Sequence, residues 1–176
     1  VSLRDNSART NSGMVVATYN NSVSRLSQLS ITTSQTTDVG ITVSGLHLSG
    51  YGNGITHVSN SVVWGNDPDP GARDIMIYGV GIHFNRMHYG VLDAISGSTL
   101  ASNNTPSTGD PGFVGIGNAR LRADSILIDS GIVNPPGGPG LLDADGNTRV
   151  QGGFVDVGAF EATPYSDRIF ANDFED

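Results

Sequence analysis

Ile41-Thr42-Val43-Ser44-Gly45-Leu46-His47-Leu48-Ser49 alternates apolar and polar side chains, breaks at Tyr51-Gly52-Asn53-Gly54, and resumes at Ile55-Thr56-His57-Val58. A period of two sends one set of side chains to a core and the other to solvent, as a half-buried strand requires. The same pattern predicts strands at Val1–Leu3, Met14–Tyr19, Leu29–Thr33, Ile41–Val43, Leu46–Ser49, Ile55–Val58, Val62–Trp64, Ile75–Tyr78, Ile82–Phe84 and Val91–Ile95. Gly, Asn, Ser and Asp separate them. No long window keeps the period of about 3.6 that a helix needs. The chain reads as all-β.

Composition agrees. Glycine supplies 24 of 176 residues while charged residues are only 15%, which excludes a coiled coil or helical bundle. Runs such as Met14–Ala17 and Ile75–Tyr78 argue against disorder. The net charge is −8 and all nine basic residues are Arg, so a phosphate-binding stripe is absent and no nucleic-acid partner is expected. With no cysteine there is no disulfide, thiolate nucleophile or Cys-based zinc site. No stretch approaches the length of a transmembrane helix. The start at Val1, without Met or a signal-peptide pattern, predicts a mature or processed product.

Many short strands leave two architectures open, a sandwich or a solenoid of parallel coils. Clean two-residue hairpin turns are few. Val1, Val23, Ile41, Val62 and Ile82 each open an apolar-polar run at intervals of roughly 20 residues, which leans toward the solenoid. Asn-Ser pairs recur at Asn6-Ser7, Asn11-Ser12, Asn21-Ser22 and Asn60-Ser61, either as stacked hydrogen-bonding corners or as ordinary turn chemistry. The segment Asn134–Gly140 (Asn-Pro-Pro-Gly-Gly-Pro-Gly) holds neither strand nor helix, and Ser98–Gly109 reads as a polar loop.

A set of strings occurs in order: Ser61-Val62-Val63-Trp64-Gly65-Asn66, Asp74-Ile75, Asp110-Pro111-Gly112-Phe113, Arg120-Leu121, Ile128-Asp129-Ser130-Gly131, Asp143-Ala144-Asp145-Gly146-Asn147-Thr148-Arg149 and Val155-Asp156-Val157-Gly158-Ala159-Phe160-Glu161. The set resembles the C-terminal region of secreted right-handed parallel β-helix proteins of the choice-of-anchor Q domain type, similar in fold to the pectate-lyase-like superfamily. Where that family has Ser-Pro-Ala-Ile-Asp, this chain has Ser125-Ile126-Leu127-Ile128-Asp129. Arg168-Ile169-Phe170-Ala171-Asn172-Asp173-Phe174-Glu175 is similar to a short tail of some secreted bacterial proteins, which carry Gly in place of Asp173. The resemblance implies a right-handed parallel β-helix, a solenoid of about four coils over 1–97. A less regular cap over 98–161 and a tail over 162–176 would follow. Its implied address is secreted or cell-surface. With no polar cap before Val1, the first coil would either follow others or pair with a second molecule through its open edge.

Three groups of residues invite chemistry. Asp143, Asp145 and Asn147 alternate around Gly146 like half of a calcium loop, with Asp129, Asp156 and Glu161 able to complete a shell only if the fold delivers them. The competing reading is an Asx turn whose carboxylates accept backbone N–H groups. Asp67-Pro68-Asp69-Pro70-Gly71 with Asp74 is a second acidic loop, a solvated turn or a carboxylate pair for glycoside hydrolysis. His83, Arg86, His88 and Tyr89 bring a base, a cation and a phenol into one short segment, as a lyase acting on an acidic polysaccharide would need, with Asp74 as a further catalytic candidate. Within Ile82-His83-Phe84, His83 and Asn85 fall on the face opposite Phe84, which predicts that they point outward. His47 and His57 stand isolated in strand patterns and are also expected outside. Trp64, Tyr78 and Tyr89, with Tyr51 and Phe84, offer stacking surface for sugar rings, although a Trp within Val-Val-Trp-Gly-Asn also suits a core. Three functional classes follow: a non-catalytic adhesion or carbohydrate-binding surface module, a polysaccharide lyase or hydrolase, and a subunit that stacks end to end. The first is preferred, because no strong catalytic constellation is present.

Overall fold

The computed structural model describes residues 2–4, 7–8, 13–33, 35–36, 43–66, 73–90, 92–94, 98, 100–102 and 109–162. The strands are β1 (Ser2–Arg4), β2 (Ser7–Ala8), β3 (Met14–Thr18), β4 (Val23–Ser27), β5 (Ser30–Thr32), β6 (Gln35–Thr36), β7 (Val43–Gly50), β8 (Ile55–Trp64), β9 (Arg73–Gly79), β10 (Ile82–Tyr89), β11 (Leu92–Ala94), β12 (Leu100–Ser102), β13 (Phe113–Gly115) and β14 (Asn118–Leu121). The described residues contain no helix, and so none long and apolar enough to cross a membrane. The acidic loop 67–71 and the tail beyond Ala162 lie outside the described residues.

Two sheets carry most of the structure. In the larger, β1, β5, β8, β10 and β12 follow one another, with β4 also paired to β8. In the smaller the order is β11, β9, β7, β3. All of these pairs are parallel. Alternation along the strands explains their burial. Ile82 and Phe84 are buried while His83 and Asn85 between and beside them are half-exposed. The main core takes Ile31, Val58, Val63, Ile82, Phe84 and Met87 from the larger sheet, and Leu46, Leu48, Ile75 and Ile77 from the smaller. Full burial of each such side chain stabilises the fold by about 1.5–3 kcal/mol. A second cluster joins Val62 to Leu127 and Val157, so the irregular stretch after β14 is packed against the larger sheet.

These pairings correct the expected right-handed parallel β-helix. The strands are divided among four separate sheets, parallel pairing is mixed with an antiparallel pair between β13 and β14, and further antiparallel bridges join Leu142 to Thr148 and Gln151 to Phe154. No sheet among the described residues closes or continues as a solenoid. The physical reason is the absence of a constant repeat. Ser30 pairs with Val62 but Ile82 pairs with Leu100, so the interval between partners is nearly halved along the chain. End-to-end stacking through coil edges loses its premise with the solenoid. The polar stretch read as a loop from Ser98 to Gly109 contains β12, which extends the larger sheet. Ile55–Val58 and Val62–Trp64, read as two strands, are one.

That long strand survives because its break is a bend. Asn60 has a φ of 46° and Arg86 one of 55°, and Gln28 between β4 and β5 has 59°. Since Ser27, Ser59 and Asn85 are cross-strand partners, the three left-handed residues stand at one level and bend three chains together. Asn60 then fixes the chain crossing over it, donating from Nδ2 to the Ile132 carbonyl at 2.8 Å and accepting from the Ile132 N–H at 2.9 Å.

Buried charge concentrates near the end of the described chain. Arg149, 2% exposed, donates to Glu161 at 2.9 Å and to the carbonyls of Gly158 and Ala159. Burial pushes Glu161 up to about 7 against the pull of Arg149, with the neighbouring Asp156 adding to the rise. Asp156 is also raised by its burial. A carboxyl raised in the folded state holds its proton more tightly there than in the unfolded chain. Its stabilising contribution is therefore complete below about 4.5 and lost as pH rises through about 7. Urea midpoints measured across that window are expected to fall, by the equivalent of roughly 1–3 kcal/mol for this group. A flat or rising profile would remove the assignment.

Candidate functional site

The outward face of the larger sheet carries a row set by register alone. Arg25 of β4 lies beside His57 of β8, His57 beside His83 of β10, and His83 beside Ala101 of β12. The two imidazole centres are 5.1 Å apart and the rings are tilted by 35°. Two positions along each strand, still on the same face, come Ser27, Ser59 and Asn85. A cleft of about 360 Å³ opens over this face, lined by His57, Ser59, His83, Phe84, Asn85, Ala101 and Pro136.

Pro136 belongs to the Pro-Gly segment that cannot form a strand, and this is what lets it serve as a wall. The adjoining Gly137 has a φ of 96° and lies so close to the Arg25 stem that an added Cβ would stand 3.2 Å from the Arg25 Cβ. The segment is thus seated on the sheet beside the histidine row. Inside, the chemistry is polar and largely uncharged. Burial lowers the His57 pKa, with His83 and then Arg25 adding to the effect, so the ring favours its neutral form. Ser59 is 1% exposed and its Oγ has no hydrogen-bond partner. The Oγ of its cross-strand partner Ser27 is buried without a hydrogen-bond partner as well.

The catalytic quartet expected from the sequence does not meet at one centre. His83 is in the cleft. Arg86 is exposed at the left-handed bend. Beyond that bend His88 is buried, its ring 5.2 Å from Trp64 and its Nε2 3.0 Å from the Gly109 carbonyl. Burial lowers the His88 pKa despite Gly109, Asp110 and Asp74, which pull the other way. Asp74 is buried and accepts from the Asn66 N–H and Nδ2 at 3.0 and 2.9 Å, fixing the chain after β8. His47 is half-buried, beside Ser49 rather than in the cleft.

The aromatic candidates are dispersed as well. Trp64 packs on the second core cluster. Tyr89 lies against the main core, edge-on to Phe84 at 6.1 Å, and burial raises its pKa. Tyr78 and Tyr51 are exposed, 5.7 Å apart in a ladder in which Tyr51 stacks on the exposed Tyr19 at 4.8 Å. The ladder follows from the sheet, because Tyr19 and Tyr51 succeed the paired residues Thr18 and Gly50. Tyr19 was legible only as a strand end.

Asp143 resolves in favour of the Asx turn. Its carboxylate accepts from the N–H groups of Asp145, Asn147 and Glu161 at 2.9, 2.7 and 3.0 Å, and from Asn147 Nδ2 at 3.2 Å. Those donors direct positive charge at the oxygens that calcium would need. They hold the Asp143 pKa below its usual range although burial opposes them. Asp145 is paired with Arg120, and Asn147 is committed as a donor. Asp156 receives the N–H groups of Asp129 and Ala162. These residues do not fit calcium, and among the described residues no group of three or more His, Asp or Glu is placed to hold a metal.

No protein-family model matches the chain, and neither a curated protein nor a solved structure matches it.

Proposed function

We propose that the chain is a non-catalytic carbohydrate-binding module of a secreted or cell-surface protein, with the sugar seated in the cleft of His57, Ser59, His83 and Asn85. The carrying observation is a concave site in which His57, Ser59, His83 and Asn85 gather hydrogen-bonding groups on one face of the sheet. Glycan hydroxyls can donate to or accept from such groups, while Pro136 supplies apolar contact. Of the catalytic candidates only His83 lines the cleft, while Asp74 and His88 lie near each other elsewhere; that separation favours binding over turnover, since acid–base chemistry needs its groups within reach of one substrate atom. An acidic chain rich in Asn and Ser suits the extracellular reading.

The test is a screen of neutral and acidic glycans, followed by calorimetry on any that bind. Asn85→Ala and His83→Ala are each expected to weaken binding about tenfold, the equivalent of one hydrogen bond to a well-ordered ligand. Glycan binding unchanged in both variants, or no glycan retained at all, would reject this reading. Unsaturated or reducing-end products appearing during incubation would move the protein to the lyase or hydrolase class.

A further inference from the structure

We propose that His57 and His83 form a two-imidazole site for a divalent transition-metal ion of the copper or zinc class. The site shares the cleft with the carbohydrate reading but does not rest on it.

The argument starts from register. Parallel pairing places the two histidines directly opposite each other on neighbouring strands and on the same face. Two imidazoles bound to one tetrahedral ion through Zn–N bonds of about 2.0–2.1 Å have ring centres about 5 Å apart. The observed separation is 5.1 Å, so the spacing set by the backbone already matches. The tilt of 35° departs from face-to-face stacking. The volume above them is open, as a metal with further ligands requires. The Asn85 amide lies on the same face and lines the same cleft, so its oxygen or water can complete the coordination.

Charge selects the kind of ion. Calcium and magnesium require carboxylate and carbonyl oxygen, and among the described residues no carboxylate lines the cleft. Imidazole suits copper, nickel and zinc, with copper strongest among them. Arg25 stands beside His57 and opposes any cation. With only two imidazoles and an adjacent guanidinium, the affinity expected is micromolar.

The test is calorimetric titration of the chelator-stripped protein with copper(II) and then zinc chloride, in the absence of any glycan. One ion per chain is expected, with copper bound tighter than zinc. His57→Asn and His83→Asn should each weaken binding about tenfold or more, and His47→Asn should not. Arg25→Ala should tighten it, because a repelling charge is removed. For the wild-type protein, the proton resonances of the His57 and His83 rings should broaden first on adding substoichiometric copper(II), a readout that needs no variant to fold. Absence of saturable binding, or equal binding by the His57→Asn/His83→Asn double variant with an unaltered melting curve, overturns the proposal. So does first broadening at His47 or His88. Because the metal titration contains no sugar, a failed carbohydrate screen leaves it standing, and the reverse also holds.

Discussion

Arg149→Met is expected to cost about 3–5 kcal/mol of folding stability at pH values above the Glu161 titration, read as a lower urea midpoint. The side chain is 2% exposed and its loss leaves the Glu161 carboxylate buried with Asp156 as its nearest acidic neighbour. It also removes the guanidinium donors to the carbonyls of Gly158 and Ala159, the second of which keeps the Ala144 N–H. Methionine fills similar volume, so the loss reports charge and hydrogen bonding rather than a cavity. The penalty should shrink once pH falls below about 7, where Glu161 accepts a proton and no longer needs a cation. Arg149→Lys should recover only part of the loss, because one ammonium cannot reach three acceptors in the planar arrangement of a guanidinium. A loss under about 1 kcal/mol at high pH would mean that water replaces the guanidinium and that the pair is not sealed from solvent.

The second large effect is expected at Gly79. Its φ is 87°, a left-handed backbone that side chains resist, and an added Cβ would lie 1.9 Å from the Gly50 carbonyl oxygen. The obstacle is backbone of the neighbouring strand, so rotamer changes cannot relieve it. Gly79→Ala must separate β7 from β9 at the paired residues Gly50 and Gly79. A cost of about 3 kcal/mol or more follows from adding strain of roughly 1–2 kcal/mol to the lost pairing. Thermal melting would register it, and Gly146→Ala is the comparison. That glycine has the same φ of 87° but nothing near its missing Cβ, so only the conformational part should be lost. Equal losses in the two would show that the strands yield readily.

Much of the strand pattern was legible because each strand has two different environments. Ile82, His83, Phe84 and Asn85 alternate in sequence as they alternate in burial. The higher order was not legible, since it depends on which strand lies beside which. His57 looked isolated because its partner His83 is supplied by the pairing of Ile82 with Thr56. The expected solenoid failed for a related reason: apolar runs mark strands but do not fix the interval at which they pair. Asn60 was read as a corner or turn and is a buried bend inside a continuous strand, a choice that tertiary packing makes through Ile132. For Asp143 the sequence offered acidic oxygens without saying whether N–H groups or a cation would face them. Arg149 and Glu161 carried the faintest signal, two of three charges, with Asp156, in a run rich in glycine and apolar residues.

The aligned bend at Gln28, Asn60 and Arg86 has a further consequence. It is a crease in the backbone, and the histidine row lies just before it. The contour of that surface is therefore written in main-chain handedness, while its chemistry is written in side chains that can be exchanged without moving the crease. Recognition can be retuned there one residue at a time, whereas inserting a single residue between row and crease in one strand would put its bend out of step with the other two.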